Sequence, residues 1–236
     1  MKRIGIALVS MFLGLAAGCG KEEPAQAPPP EKPAEPAAPP KAAPPKPKPV
    51  EKRAPTLDLA AYPKQPVVEL QTSLGLIVLE LDAEKAPKTV QTILAYVEDG
   101  FYDGTVFHRI MPEFVIQGGG KTADAGGKLV TKPYYYETIP SEAGNGLSHV
   151  RGAVALARAT DPNSGSCQFY ITLKDKPGMD GITQGKLVRS KAYTVFGKVI
   201  EGMDVVDAMA ALEIADKVAG TPVKAPVITK ARVRKN

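Results

Sequence analysis

The sequence predicts a mainly β domain, a closed barrel or a sandwich with two helices, carried behind an N-terminal leader and a proline-rich segment. Three observations carry this. From about Thr56 onward, short apolar runs are separated by turn-forming residues, the pattern of many short strands. Only two stretches of that region space their apolar residues at three and four, as amphipathic helices do. Residues 21–55, by contrast, are almost entirely Pro, Ala, Lys and Glu, a composition unable to bury enough apolar surface to fold. The expected division is therefore 1–18 as a leader, 19–55 as a tether, and 56–236 as one domain of roughly 180 residues, a size that one core supports.

Met1-Lys2-Arg3 is a short basic start, and Ile4 to Ala17 is apolar but too short to be a comfortable membrane span. Small residues at Ala16-Ala17-Gly18 precede Cys19, so the segment reads as a secretion signal with its cleavage point. Leu15-Ala16-Ala17-Gly18-Cys19 resembles the lipobox of bacterial lipoproteins, departing from it at Ala16, where leucine is commonest. The resemblance implies lipidation of Cys19 as the first residue of the mature chain, and stable anchoring takes more than one acyl chain. Cys167 is then the one cysteine left. No intramolecular disulfide is possible, and Cys167 is expected to serve as a small buried hydrophobe. The tether holds 13 of the 23 prolines. At ~3.1 Å per residue, about 35 such residues reach on the order of 100 Å. Residues 1–55 carry nine Lys and Arg against five Asp and Glu, so most of the net charge of +5 lies there. The domain itself is close to neutral, which argues against a nucleic-acid partner.

Within the domain, residues 67–72 and 76–81 read as two strands, joined through Ser73-Leu74-Gly75 as a hairpin. Pro87 opens a helix, as proline does at a first helical position. Val90, Ile93, Leu94 and Val97 form its apolar face, and Gly100 ends it. Further strands are expected at 105–110, 114–117, 152–157, 168–172, 194–199 and 227–234. A second helix fits 203–212, with Met203, Val206, Met209 and Ala210 on one side. There is no internal repeat.

Several chemistries fail on inspection. Gly120-Lys121-Thr122 looks like the end of a phosphate-binding loop, but the first glycine that motif needs falls at Val115. The only two histidines, His108 and His149, lack the spacing of a metal site. Ser148-His149 has no nucleophile-elbow context, and both histidines are expected to be structural. What remains is an arginine, glutamines and aromatics, which suit a reaction that moves no proton and forms no covalent bond. Rotation about an Xaa–Pro peptide bond is such a reaction, with a resonance barrier of ~18–20 kcal/mol for peptide bonds generally. As resonance is lost, the prolyl nitrogen gains a lone pair, and a guanidinium aimed at it binds the twisted amide better than either planar isomer. That chemistry needs no cofactor or metal.

Phe107-His108-Arg109-Ile110-Met111-Pro112-Glu113-Phe114-Val115-Ile116-Gln117-Gly118-Gly119 closely resembles the cyclophilin signature, with Met111 replacing an isoleucine. The resemblance continues through residues 144–147, 151–158, 166–171 and 195–199, so it spans nearly all of 66–235. It implies a closed eight-stranded antiparallel β-barrel capped by two α-helices, with prolyl isomerase activity at its outer face. By the same resemblance Arg109 is the catalytic arginine, Phe114 the pocket phenylalanine, and Gln117 the glutamine that orients arginine and substrate. Val115 also belongs to the substrate site. Ala157 and Arg158 fall where backbone groups hold an extended substrate, although the family often has asparagine at the latter position. Gln168 matches a second substrate-side glutamine and Met179 a pocket leucine. Tyr170 replaces a second pocket phenylalanine, implying a slightly more polar edge, and Tyr193 stands where many eukaryotic members have histidine. Those members carry a tryptophan just before the position of Met179. Gly178 takes its place here, which implies weak cyclosporin inhibition. Residues 181–192 look longer than in compact members. The expected partners are proline-containing segments of exported proteins and, through Cys19, a membrane of a bacterial envelope, facing the periplasm or the exterior. A monomer is expected. The competing classes are a peptide-binding or chaperone module whose isomerase activity is incidental or lost, and a structural envelope lipoprotein whose tether positions an inactive domain; the intact Arg109, Phe114 and Gln117 favour the enzyme.

Overall fold

A computed structural model describes residues 51–234. The leader, Cys19 and the proline-rich segment up to residue 50 lie outside the described residues. Eight strands form one sheet: β1 (Val67–Thr72), β2 (Gly75–Leu81), β3 (Arg109–Met111), β4 (Val115–Gly118), β5 (Ala153–Leu156), β6 (Phe169–Thr172), β7 (Val195–Glu201) and β8 (Ile228–Val233). Their order across the sheet is β8-β1-β2-β7-β5-β6-β4-β3, and every neighbouring pair is antiparallel.

The closed barrel expected from the sequence is instead an open, curled sheet. Its outer strands β8 and β3 share no ladder. Residues 104–107 run between them and make scattered bonds to β8 and the residues before it: Gly104 N–H to Ile228 O (2.8 Å), Ile228 N–H to Thr105 O (2.7 Å), Phe107 N–H to Pro226 O (2.9 Å), and a single bridge from Val106 to Val227. Pro226 has no N–H to extend that pairing. The strand expected at 105–110 therefore begins only at Arg109.

The two helices are α1 (Pro87–Glu98) and α2 (Met203–Ala210). Pro87 stands in the first turn of α1, and its N-cap residue, Ala86, has no capping side chain. Glu142, from a distant loop, caps it instead: its carboxylate accepts the backbone N–H groups of Lys88 (3.0 Å) and Thr89 (2.9 Å) and the Thr89 hydroxyl (2.6 Å). That placement satisfies orphan donors and puts negative charge at the positive end of the helix. Val90, Ile93, Leu94 and Val97 are all buried, as their spacing predicts. On α2 the buried residues are Val206 and Met209, with Met203 and Ala210 partly buried against the same core. No helix among the described residues is long and apolar enough to cross a membrane.

Strand alternation sends side chains to opposite faces, and here it separates two clusters. Ile110, Ile116, Val154, Leu156, Phe169 and Ile171 join the main core with both helices. Val115, Ala153, Ala155, Tyr170 and Val195 form a smaller cluster on the other face, covered by Phe114, Leu147, Ala157, Met179 and Tyr193. Within the segment assigned to the tether, Arg53 docks on the domain. Its N–H donates to Tyr135 O and its carbonyl accepts the Glu137 N–H, both at 3.0 Å.

Candidate active site

The smaller cluster lies on the face that carries the site. Register places Arg109 opposite Gln117, Gln117 opposite Tyr170, Tyr170 opposite Ala155, and Ala155 opposite Val195. Directly opposed residues share a face, so residues far apart in sequence form one row across five strands. Beside that row lies a pocket of about 180 Å³. Arg109, Gln117, Val115 and Tyr170 supply its strand-borne lining; Phe114, Ala157, Arg158, Met179 and Tyr193 supply the rest. Every substrate-site residue expected from the sequence therefore lines this one cavity except Gln168, which stands behind it. Gln117 Nε2 donates to Gln168 Oε1 at 3.0 Å. Gln117 Oε1 in turn accepts from Arg109 Nη1 at 3.4 Å. The two glutamines thus orient the guanidinium from the side. Arg109 makes no ion pair among the described residues. Its remaining donors are free for a ligand, which is what an electrostatic catalyst needs.

The turn before β4 and the glycines after it serve this geometry. Phe114 N–H donates to Met111 O (3.0 Å), closing a turn through Pro112 that aims Phe114 at the pocket. Gly119 has φ +82, a backbone that favours glycine. At Gly120 a Cβ would stand 2.3 Å from Gln168 Cγ, so its absence makes room for the second glutamine.

The far wall is held by the side chain of Arg158. It makes five hydrogen bonds onto the carbonyls of Ala159, Thr160, Ser190 and Ala192, at 2.8 to 3.2 Å. Its guanidinium also lies 4.2 Å from the Tyr193 ring centroid. An arginine fork fully engaged by carbonyls ties the 181–192 loop to the pocket. That loop carries a small hairpin of Ile182–Thr183 and Lys186–Leu187. The 3-10 turn Pro177–Asp180 bears Met179, whose carbonyl accepts the Tyr193 N–H at 3.1 Å.

Tyr170, expected to make the pocket edge slightly more polar, has its hydroxyl bonded to a buried partner. Its hydroxyl bonds His149 Nε2 at 2.9 Å, and His149 Nδ1 meets Asp180 Oδ1 at 2.5 Å. A carboxylate can only accept, so Nδ1 carries the proton and Nε2 accepts the Tyr170 O–H. Burial lowers the His149 pKa against the opposing pull of Asp180, which keeps the ring neutral. Burial likewise holds the Tyr170 hydroxyl well above its ordinary pKa. The hydroxyl is thus engaged by His149 while Tyr170 lines the cavity. His108, the other histidine, is buried with Nδ1 unpartnered. Its pKa falls to about 4 through burial, with Lys121 and Arg109 also disfavouring its charge. Cys167 is buried, and burial raises its thiol to about 11, consistent with a packing role.

Sequence reasoning missed Asp180 and Gly220. Ile110 N–H donates to Gly220 O at 2.7 Å, and a Cβ on Gly220 would approach Met111 Sδ (2.7 Å) and Arg109 Cγ (3.2 Å). The 216–220 turn thus packs directly under the arginine strand. A lone glycine in Lys217-Val218-Ala219-Gly220 gave no signal of it. A larger cavity of about 470 Å³ lies between α1 and β8. Its charges are already partnered, Glu69 with both Arg232 (2.6 Å) and Arg234 (2.7 Å), and it offers no comparable aromatic lining. No cluster of metal-binding side chains occurs among the described residues.

Comparison with known proteins agrees with this geometry. The family model "Cyclophilin type peptidyl-prolyl cis-trans isomerase/CLD" matches residues 67–233. The chain is 44% identical over 168 residues to peptidyl-prolyl cis-trans isomerase cyp18 of Streptomyces antibioticus, covering 70% of this chain and 97% of that protein. It is 38% identical over 170 residues to peptidyl-prolyl cis-trans isomerase A of Dickeya dadantii, covering 71% and 84%. A crystal structure of a Cryptosporidium parvum cyclophilin type peptidyl-prolyl cis-trans isomerase superposes with a TM-score of 0.57 at 26% identity, over 73% of this chain and 99% of that one. The same relative has been solved in the presence of the dipeptide Ala-Pro, with the same TM-score and identity, over 72% and 99%. With an arginine oriented by glutamines beside an aromatic pocket, and with these matches, the chain belongs to the cyclophilin-type peptidyl-prolyl cis-trans isomerases and is an enzyme of that class.

Proposed function

We propose that the Arg109 pocket binds the proline of an Xaa-Pro segment and that Arg109 accelerates its rotation by stabilising the twisted amide. The observation that carries this is the pairing of an arginine with no carboxylate partner among the described residues with an aromatic-lined cavity beside one row of the sheet. In this reading Phe114, Met179, Tyr170 and Tyr193 surround the prolyl ring and Val115 forms the floor. Ala157 lines the path of the substrate backbone. Gln117, braced by Gln168, holds the guanidinium toward the prolyl nitrogen. Planar amide offers that nitrogen no lone pair, so the donor is strongest when resonance is lost, and the interaction lowers the ~18–20 kcal/mol barrier. The relative crystallised with Ala-Pro supports a proline-containing ligand.

A protease-coupled assay with a proline peptide tests it. Arg109→Ala should lower kcat by about 10²–10³-fold, the usual effect of deleting one such donor, with the thermal midpoint little changed. Wild-type turnover in that variant would remove Arg109 from the reaction.

We further propose that the enzyme acts on exported or envelope proteins as they fold, with residues 1–18 as a leader, Cys19 as the lipidated residue and 19–55 as the tether of the domain at 56–236. The support is the basic start, the apolar run and the small residues before Cys19. Cys19→Ser should move the protein from the membrane to the soluble fraction; an unchanged distribution would contradict lipidation.

A further inference from the structure

Outside the row that holds Arg109, one buried side chain touches two walls of the pocket at once. His149 is 1% exposed. Toward the sheet, its Nε2 accepts the only side-chain hydrogen bond that the Tyr170 hydroxyl makes. Toward the loops, it grips the Pro177–Asp180 turn at both ends. Its carbonyl accepts the Lys176 N–H (2.7 Å), while its own N–H (2.9 Å) and Nδ1 (2.5 Å) both reach Asp180 Oδ1. Met179 lies between those two anchors.

We propose that His149, set by Asp180, is a positioning residue that holds the Tyr170 hydroxyl out of the pocket and seats Met179, so that the prolyl ring meets an apolar wall. This rests on the reading of the pocket as the proline site. Asp180 decides the tautomer: it accepts a hydrogen bond from Nδ1–H, which leaves Nε2 without a proton, so the Tyr170 hydrogen points at His149 and away from substrate. An imidazole protonated at Nε2 would donate to the phenol oxygen and leave that hydrogen without its acceptor. Tyr170 is 4% exposed, and a buried hydroxyl that loses its partner carries a desolvation penalty. The chain resembles a proton relay in composition, yet it ends on a phenol aimed inward. It therefore shapes the site without taking part in proton transfer.

The test uses the full chain and the proline-peptide assay. His149→Leu should raise KM by about tenfold, with kcat within about threefold, because an orphaned hydroxyl weakens binding of an apolar ring. Adding Tyr170→Phe removes the orphaned hydroxyl and should bring KM back to within about threefold of wild type. A double variant as impaired as His149→Leu, or worse, overturns the proposal, since a residue that merely supports the fold is not rescued by a second deletion. Ring-nitrogen NMR of the wild-type chain needs no variant to fold. A neutral ring protonated at Nδ1 is expected; protonation at Nε2 overturns the proposal. Full activity in Arg109→Ala would instead remove the site assignment beneath it, while the tautomer would still report on the His149 link.

Discussion

Replacing Arg158 separates two roles for it, contact with the substrate and restraint of the pocket wall. The side chain makes five hydrogen bonds onto four carbonyls, two of them, Ser190 and Ala192, at the end of the 181–192 loop. Hydrogen bonds from a charged donor are worth about 1.5–3 kcal/mol each when buried, but exposed ones are screened, so the set is worth about 2 kcal/mol net. The stacking on Tyr193 adds about 0.5–1 kcal/mol. Arg158→Ala should therefore ease local opening of the loop by about 2–3 kcal/mol, roughly 30- to 150-fold in exchange rate. Hydrogen exchange at two amides reads this directly: Val188, bonded to Gly181 O (2.7 Å), and Tyr193, bonded to Met179 O (3.1 Å). Arg158→Lys keeps the charge but not the planar fork, so it should resemble the alanine variant. Because Tyr193 and Met179 are carried by this restraint, KM should rise while kcat stays near wild type. Unchanged exchange at Val188 and Tyr193 with a fall in kcat would refute the restraint and make Arg158 a contact of the reacting segment.

Three further outcomes are expected. Gly220→Ala would put a Cβ 2.7 Å from Met111 Sδ at a backbone φ of +73; the strain, about 1–3 kcal/mol, should lower the thermal midpoint and also kcat/KM by disturbing β3, and an unaltered midpoint would contradict the packing described. His108 has its folded pKa lowered from 6.5 to about 4, so the unfolded chain binds the proton more readily and stability is lost as pH falls from about 6.5 toward 4, by up to about 3 kcal/mol. His108→Gln should flatten denaturant-measured stability in that window, and an identical slope would assign the loss to other groups. Gly178, with open space around it, offers no indole at its position, so cyclosporin should inhibit weakly; nanomolar inhibition would contradict this.

The strands and helices were legible because burial imposes a period that one sequence displays by itself. Val90, Ile93, Leu94 and Val97 read as one face without reference to any distant residue. The residues of the pocket were legible only through resemblance, because their union depends on register. Nothing local states that Gln117 opposes Tyr170 or that Tyr170 opposes Ala155, and a slip of one residue would send each to the other face. The open seam was hidden for a related reason: residues 105–107 are apolar enough for a strand, but Phe107 meets Pro226 across the gap, whose missing N–H is a property of the pair. His149 makes structural hydrogen bonds, as expected, but its partners lie 21 and 31 residues away, so no local pattern names them.

These non-local supports also explain why so plain a set of residues suffices. The reaction requires one state, the twisted amide, to be bound better than two others that differ from it by rotation alone. A site with a titrating group near the substrate would vary in charge and hydration across the working pH range. Here the nearest candidates are held neutral by burial: His149 accepts from Tyr170, and Tyr170 keeps its proton. On the proposed reading the discriminating interaction is thereby left to Arg109, which bonds Gln117 and, one bond further back, Gln168. A wall that only excludes water and a donor that only points are enough when the difference between states is the appearance of a lone pair.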